Sequence, residues 1–161
     1  MEVSAPRIRF AGTDDARLAA QAPAHWRRKA AEKRFQKDRD QELVAGGLLA
    51  DMLADLGVAA DGELAIAEEA CGKPWLRDFP GIHFSLSHTD GLVMCAVADH
   101  SVGCDVERIV PLDDDLRKEI GSIEAWTKRE ARFKCGSSAG EPRAVPAPEG
   151  YGAAISEGGV R

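Results

Sequence analysis

The chain has 161 residues, 44% of them hydrophobic and 30% charged, which is room for one domain or two small lobes sharing a core. Lys and Arg number 21 against 27 Asp and Glu, a formal net charge of -6, and so acidic a chain lacks the basic surface that general nucleic-acid binding requires. No apolar run approaches the ~20 residues that span a bilayer, and residues 1–10, with Glu2, Arg7 and Arg9, lack the apolar centre of a secretory signal, so a soluble cytoplasmic protein is expected.

Residues 6–11 alternate weakly and are expected to form a first strand, after which Thr13 or Asp14 caps a short helix through Ala20. Pro23 opens a helical stretch running to about Leu56, with Leu48, Met52 and Leu56 on one stripe and Gly57 as its C-cap. Between residues 25 and 39 this stretch holds seven basic residues against Glu32 and Asp38. Such a local cation patch on an acidic chain is either a phosphate or acidic-partner site or a solvated helix face.

From Ile82 the period changes to two: Ile82, Phe84 and Leu86 alternate with His83, Ser85 and Ser87. Thr89-Asp90-Gly91 signals a turn, residues 92–98 form a continuous apolar run, and Asp99-His100 turns the chain again. Val102, Cys104 and Val106 then form the apolar side of a third strand, and the three strands are expected to make an antiparallel meander. Beyond it come an acidic patch at residues 113–115, a helix over about 122–134, and a tail rich in Gly, Pro, Ala and Ser. Only residues 151–155 of that tail have strand character, so much of the tail is expected to be loosely ordered. The four cysteines (Cys71, Cys95, Cys104 and Cys135) show no C-x-x-C spacing, and Cys95 and Cys104 read as small core residues.

Three features carry chemistry. Asp105 and Glu107 stand two apart on a strand, so their carboxylates point the same way. Their repulsion is relieved by a cation, a raised pKa or a basic partner, and hard oxygen ligands suit Mg²⁺. The bland alternative is a solvated strand face. On the later helix Trp126, Glu130 and Lys134 share one face, as an ordinary salt-bridged helix would also arrange them. Lys73, between Gly72 and Pro74, is a cation in a turn, and His88 ends a strand.

Taken together, Gly72-Lys73-Pro74, Phe84-Ser85-Leu86-Ser87-His88-Thr89, Val102-Gly103-Cys104-Asp105-Val106-Glu107 and the helix from Trp126 to Lys134 resemble the 4'-phosphopantetheinyl transferases of the Sfp type over roughly residues 25–135. The resemblance implies transfer of the phosphopantetheine arm of coenzyme A to a serine of an apo acyl or peptidyl carrier protein, with release of 3',5'-ADP. It implies Mg²⁺ on Asp105, Glu107 and Glu130, with Glu130 and Lys134 as the catalytic pair. Lys73, Ser87 and His88 match positions that contact the coenzyme A end carrying the 3'-phosphate. In the basic stretch, Arg28 and Lys33 are candidates for the same ligand, with the acidic carrier as the other client. Arg129 stands where the family motif has lysine. Only 22 positions separate Glu107 from Glu130, and 27 residues follow Lys134, less than a usual second lobe requires.

The expected architecture is therefore α+β: a long helix packed on an antiparallel meander (residues 1–110) with a reduced second lobe (residues 111–161) holding the motif helix. The expected state is a monomer or homodimer. The alternative function is a non-catalytic relative that binds coenzyme A or carrier proteins.

Overall fold

The computed structural model describes residues 5–58 and 64–159. Residues 1–4 of the stretch read against a secretory signal, and the last two residues of the tail, lie outside them. The architecture is α+β, with every strand pair antiparallel.

Strand β1 (Arg7–Gly12) leads into helix α1 (Ala16–Ala20). The cap is neither Thr13 nor Asp14: a turn closed by Asp15 N–H on Gly12 O places Asp15 at the helix start, where its carboxylate accepts from Leu18 N at 3.0 Å. The single helix expected from Pro23 to about Leu56 is two helices, α2 (Ala24–Ala31) and α3 (Gln36–Asp55). At the break Phe35 is extended, with φ -100 and ψ 143, and Arg39 Nη1 donates to the carbonyls of Lys33 and Arg34 at 2.8 and 3.1 Å. That guanidinium satisfies carbonyls left over at the junction, which lets the chain bend without a proline or glycine. Bending brings both short helices onto α3. A Cβ on Gly46 would stand 2.6 Å from the Trp26 side chain, and one on Gly47 would stand 1.8 Å from Leu18 O. Gly57, with φ +74, follows the last helical turn and ends it.

The hairpin β2 (Ile66–Glu68) and β3 (Pro74–Leu76) precedes the strands β4 (His83–Thr89), β5 (Leu92–Ala98) and β6 (Val102–Arg108). These last three are not a meander. β4 and β5 pair, and β1 completes a sheet of order β1-β5-β4. β6 leaves that sheet for a second one, β6-β8-β7, built with β7 (Arg143–Val145) and β8 (Tyr151–Glu157). The tail thus supplies two strands, and residues 153–156 of β8 are buried against β6, so it is not loosely ordered. Between the sheets' strands the chain forms α4 (Asp114–Ile120), capped by Asp113, and α5 (Ile123–Cys135), capped by Ser122.

β5 explains its unbroken apolar run by being buried on both faces. Val93, Cys95 and Val97 join Leu48, Leu49 and Leu53 of α3 in one core. Met94 and Ala96 join Val102, Val106 and Ile155 in a second core between the sheets. Cys95 and Cys104 are fully buried core thiols as the sequence suggested, and burial pushes Cys104 up to about 11. The other face of β6, carrying Gly103, Asp105 and Glu107, turns to α5.

His100, in the turn between β5 and β6, fastens the second sheet's outer end. Its Nδ1 lies 2.6 Å from Asp99 Oδ1 and its Nε2 lies 2.8 Å from Glu157 Oε1. Both carboxylates favour the imidazolium, Asp99 most, and raise the His100 pKa above the ordinary 6.5. A raised folded-state value adds stability that is full below the unfolded pKa and disappears as pH climbs through the folded one. Thermal melts should therefore show Tm falling as pH rises above about 6.5, and His100→Gln should flatten that slope; an unchanged slope in the variant would remove His100 as its cause.

Candidate functional site

The site grows from the alternation of β6. Its even residues fill the inter-sheet core, so Asp105 and Glu107 are both driven toward α5. α5 meets them with residues two turns apart on one face. Lys134 Nζ stands 2.9 Å from Asp105 Oδ1, and Trp126 Nε1 donates to Glu107 Oε1 at 3.3 Å. β4 approaches from the other side: Ser87 Oγ donates to Asp105 Oδ1 at 3.0 Å, and Thr89 Oγ1 donates to Glu107 Oε2 at 3.4 Å. Asp105 is 3% exposed, and its Oδ2 is buried with no hydrogen-bond partner.

The electrostatics follow from this crowding. Burial raises the Asp105 pKa against the pull of Lys134. Glu107 is also raised, by burial first and then by the charge on Asp105. A carboxylate pair that disfavours its own ionisation, with one buried oxygen unpartnered, is a donor set suited to a hard divalent cation. Glu130 is half-buried, on the helical face between Trp126 and Lys134. Among the described residues no three His, Cys, Asp or Glu side chains stand together as a ready metal-holding group.

Beside the acidic pair lies a cleft of about 990 Å³, walled by α2, α3, the β2–β3 hairpin, β4 and the end of α5. Lys29, Lys73, His88, Arg129, Arg132 and Lys134 line it, with Glu42 and Glu69 as its acidic members. The structure thus brings Lys73, His88 and Lys134 of the sequence candidates to one cavity. Ser87 is not among its lining residues, and its hydroxyl is held by Asp105 and the Val106 N–H. Arg28 is exposed on α2 outside the cleft, whereas Lys33 reaches a cleft residue, with Nζ 3.6 Å from Glu42 Oε1. His88 faces the same carboxylate at 4.0 Å, and burial lowers its pKa.

Lys73 has a second engagement. Its Nζ donates to Lys134 O at 2.7 Å and to Val102 O at 3.1 Å, tying the end of α5 to the start of β6. A cation there satisfies a terminal helix carbonyl and complements the helix dipole, while burial lowers its pKa. Lys29, Arg132, Ser85 and Thr89 are site residues that the sequence does not single out. Ser85, Ser87 and Thr89 at period two were the available sign, a line of hydroxyls on one strand face.

Comparison with known proteins places these features in company. The chain is 35% identical over 101 residues to the 4'-phosphopantetheinyl transferase psf-1 of Bacillus pumilus, covering 62% of this chain and 43% of the relative. It is 25% identical over 122 residues to a 4'-phosphopantetheinyl transferase of Bacillus subtilis, covering 76% and 54%. The 4'-phosphopantetheinyl transferase gsp of Aneurinibacillus migulanus is 35% identical over 84 residues, covering 52% and 35%. The chain spans about half the length of the curated relatives it matches, or less. No family model matches it.

Proposed function

The chain is a relative of the 4'-phosphopantetheinyl transferases of the Sfp type, and on that premise we propose that it moves the 4'-phosphopantetheine arm of coenzyme A onto a serine of an apo carrier protein. The observation that carries this reading is the double engagement of Lys134. Its ammonium lies 2.9 Å from Asp105, and the same residue lines the cation-rich cleft. An acidic pair and a polyanion-sized basic cavity thus share one side chain.

In this reading coenzyme A lies in the cleft, where Lys29, Lys73, Arg129 and Arg132 offset the charge of its phosphates and His88 offers a hydrogen bond at the end carrying the 3'-phosphate. Asp105 and Glu107, joined by Glu130, would hold Mg²⁺, which supplies charge neutralisation at the pyrophosphate when bound. The carrier serine oxygen attacks the phosphorus that bears the pantetheine arm, and its proton passes to the Glu130 carboxylate. The bond from that phosphorus to the bridging oxygen breaks, and the electron pair leaves with 3',5'-ADP. Lys134 places its positive charge beside that oxygen as it becomes anionic. The basic residues 27–39 leave Arg28 and Lys33 for a phosphate of coenzyme A or for the acidic carrier. The proposed lobes are residues 1–110 and 111–161, with β6 of the first pairing with β8 of the second. The proposed protein is a cytoplasmic monomer or homodimer that engages neither nucleic acid nor membrane. No helix among the described residues is long and apolar enough to cross a membrane.

The test is an intact-mass measurement on several apo carriers incubated with the protein, coenzyme A and Mg²⁺. The expected result is a carrier heavier by one phosphopantetheine arm. Coenzyme A binding without modification of any carrier would replace transfer with the non-catalytic binding module.

A further inference from the structure

β4 and β6 run side by side in the same direction, yet they belong to different sheets and no strand ladder joins them. Hydroxyls join them instead. Cys104 N–H donates to Ser85 Oγ at 3.0 Å, Val106 N–H to Ser87 Oγ at 3.2 Å, and Arg108 N–H to Thr89 Oγ1 at 3.3 Å. The sequence separation is 19 at every rung, so the three bonds set one register between the strands.

A hydroxyl accepts and donates at once. Two of the three pass their proton to the residue just before the N–H they accept: Ser87 to Asp105 at 3.0 Å and Thr89 to Glu107 at 3.4 Å. At the remaining rung the corresponding residue is Gly103, which has no carboxylate to receive it. The geometry points to Ser87 and Thr89 as positioning residues for the acidic pair, each hydroxyl locking one carboxylate to the β6 backbone so that a divalent cation meets a fixed donor orientation. This rests on the transferase reading above for the identity of the cation. Ser87 is 5% exposed, in keeping with a side chain spent inside the protein. With Oδ1 taken by Ser87 and Lys134, Oδ2 is left as the free oxygen of Asp105.

Mn²⁺ is a suitable probe, since it shares the hard oxygen preference of Mg²⁺ and reports its own binding by electron paramagnetic resonance. The titration is done on the full chain without coenzyme A or carrier. Ser87→Ala and Thr89→Val should weaken Mn²⁺ by about 10-fold or more, the usual effect of losing an outer partner of a metal ligand. Thr89→Ser, which keeps the hydroxyl, should restore the affinity. Ser85→Ala removes a rung without touching a carboxylate, and its Tm gives the stability cost of a rung alone. Wild-type affinity in both Ser87→Ala and Thr89→Val would overturn the proposal, leaving the hydroxyls as a strand fastening only. A wild-type chain that binds no Mn²⁺ would overturn it as well. Weakened Mn²⁺ in the variants of a chain that modifies no carrier would uphold the positioning role while sinking the transfer reading.

Discussion

Asp105→Asn should reduce carrier modification by at least about 100-fold, the upper range already seen when an outer partner of a metal ligand is lost. The substitution keeps the shape of the side chain and removes its charge, so Ser87 retains an oxygen to bond. Burial already raises the Asp105 pKa, which means the folded chain disfavours that charge, and a neutral amide relieves the penalty. Lys134 has 29% of its side chain exposed and can turn its ammonium to water. Tm should therefore move far less than activity does. The readouts are the intact mass of the carrier and a thermal melt. A variant that still modifies carriers at the wild-type rate would end the metal-holding role assigned to Asp105.

Gly103→Ala should destabilise the fold strongly. A Cβ there would stand 2.1 Å from Ala131 O and 2.3 Å from Cys135 N, both backbone atoms of α5. Neither can swing aside, so the helix must lift from β6 and carry Lys134 and Trp126 away from the acidic pair. Overpacking of this kind costs about 3 kcal/mol, which in a chain of this size lowers Tm by roughly 6–12 °C. Gly81→Ala is the control, since a Cβ at Gly81 meets nothing within 4 Å. Equal Tm values for the two variants would disprove the close contact. Transfer should fall in Gly103→Ala as well, because Lys134 is placed by the same backbone approach.

Local elements were readable where periodicity or a cap residue marked them. The strand expected over 6–11 is Arg7–Gly12, and the helix expected over 122–134 is Ile123–Cys135. The break between α2 and α3 was not readable, because residues 32–35 contain no proline or glycine and the bend is held by Arg39 on two carbonyls. Asp113 was visible only as part of an acidic patch, although it caps α4 through Leu116 N at 2.8 Å. The short turn linking β5 and β6 suggests that they pair. The true ladder partner of β6 is β8, nearly fifty positions further on, where an Ala-rich segment showed only weak strand character.

The site divides along the same line. Alternation on β6 and the four-residue spacing on α5 placed Asp105 with Glu107, and Trp126 with Lys134, before any fold was known. Those are properties of a single strand and a single helix, and each is written in consecutive residues. That Lys134 reaches Asp105, that Lys73 spends its donors on Lys134 O and Val102 O, and that Ser87 is held between Asp105 and Val106 are of another kind. Each depends on where α5 and β4 settle against β6, and that is set by the absence of a side chain at Gly103 and by the burial of β8 beside it. Sequence spacing carries the direction of a side chain within its own element; the partner it meets depends on packing between elements distant in the chain.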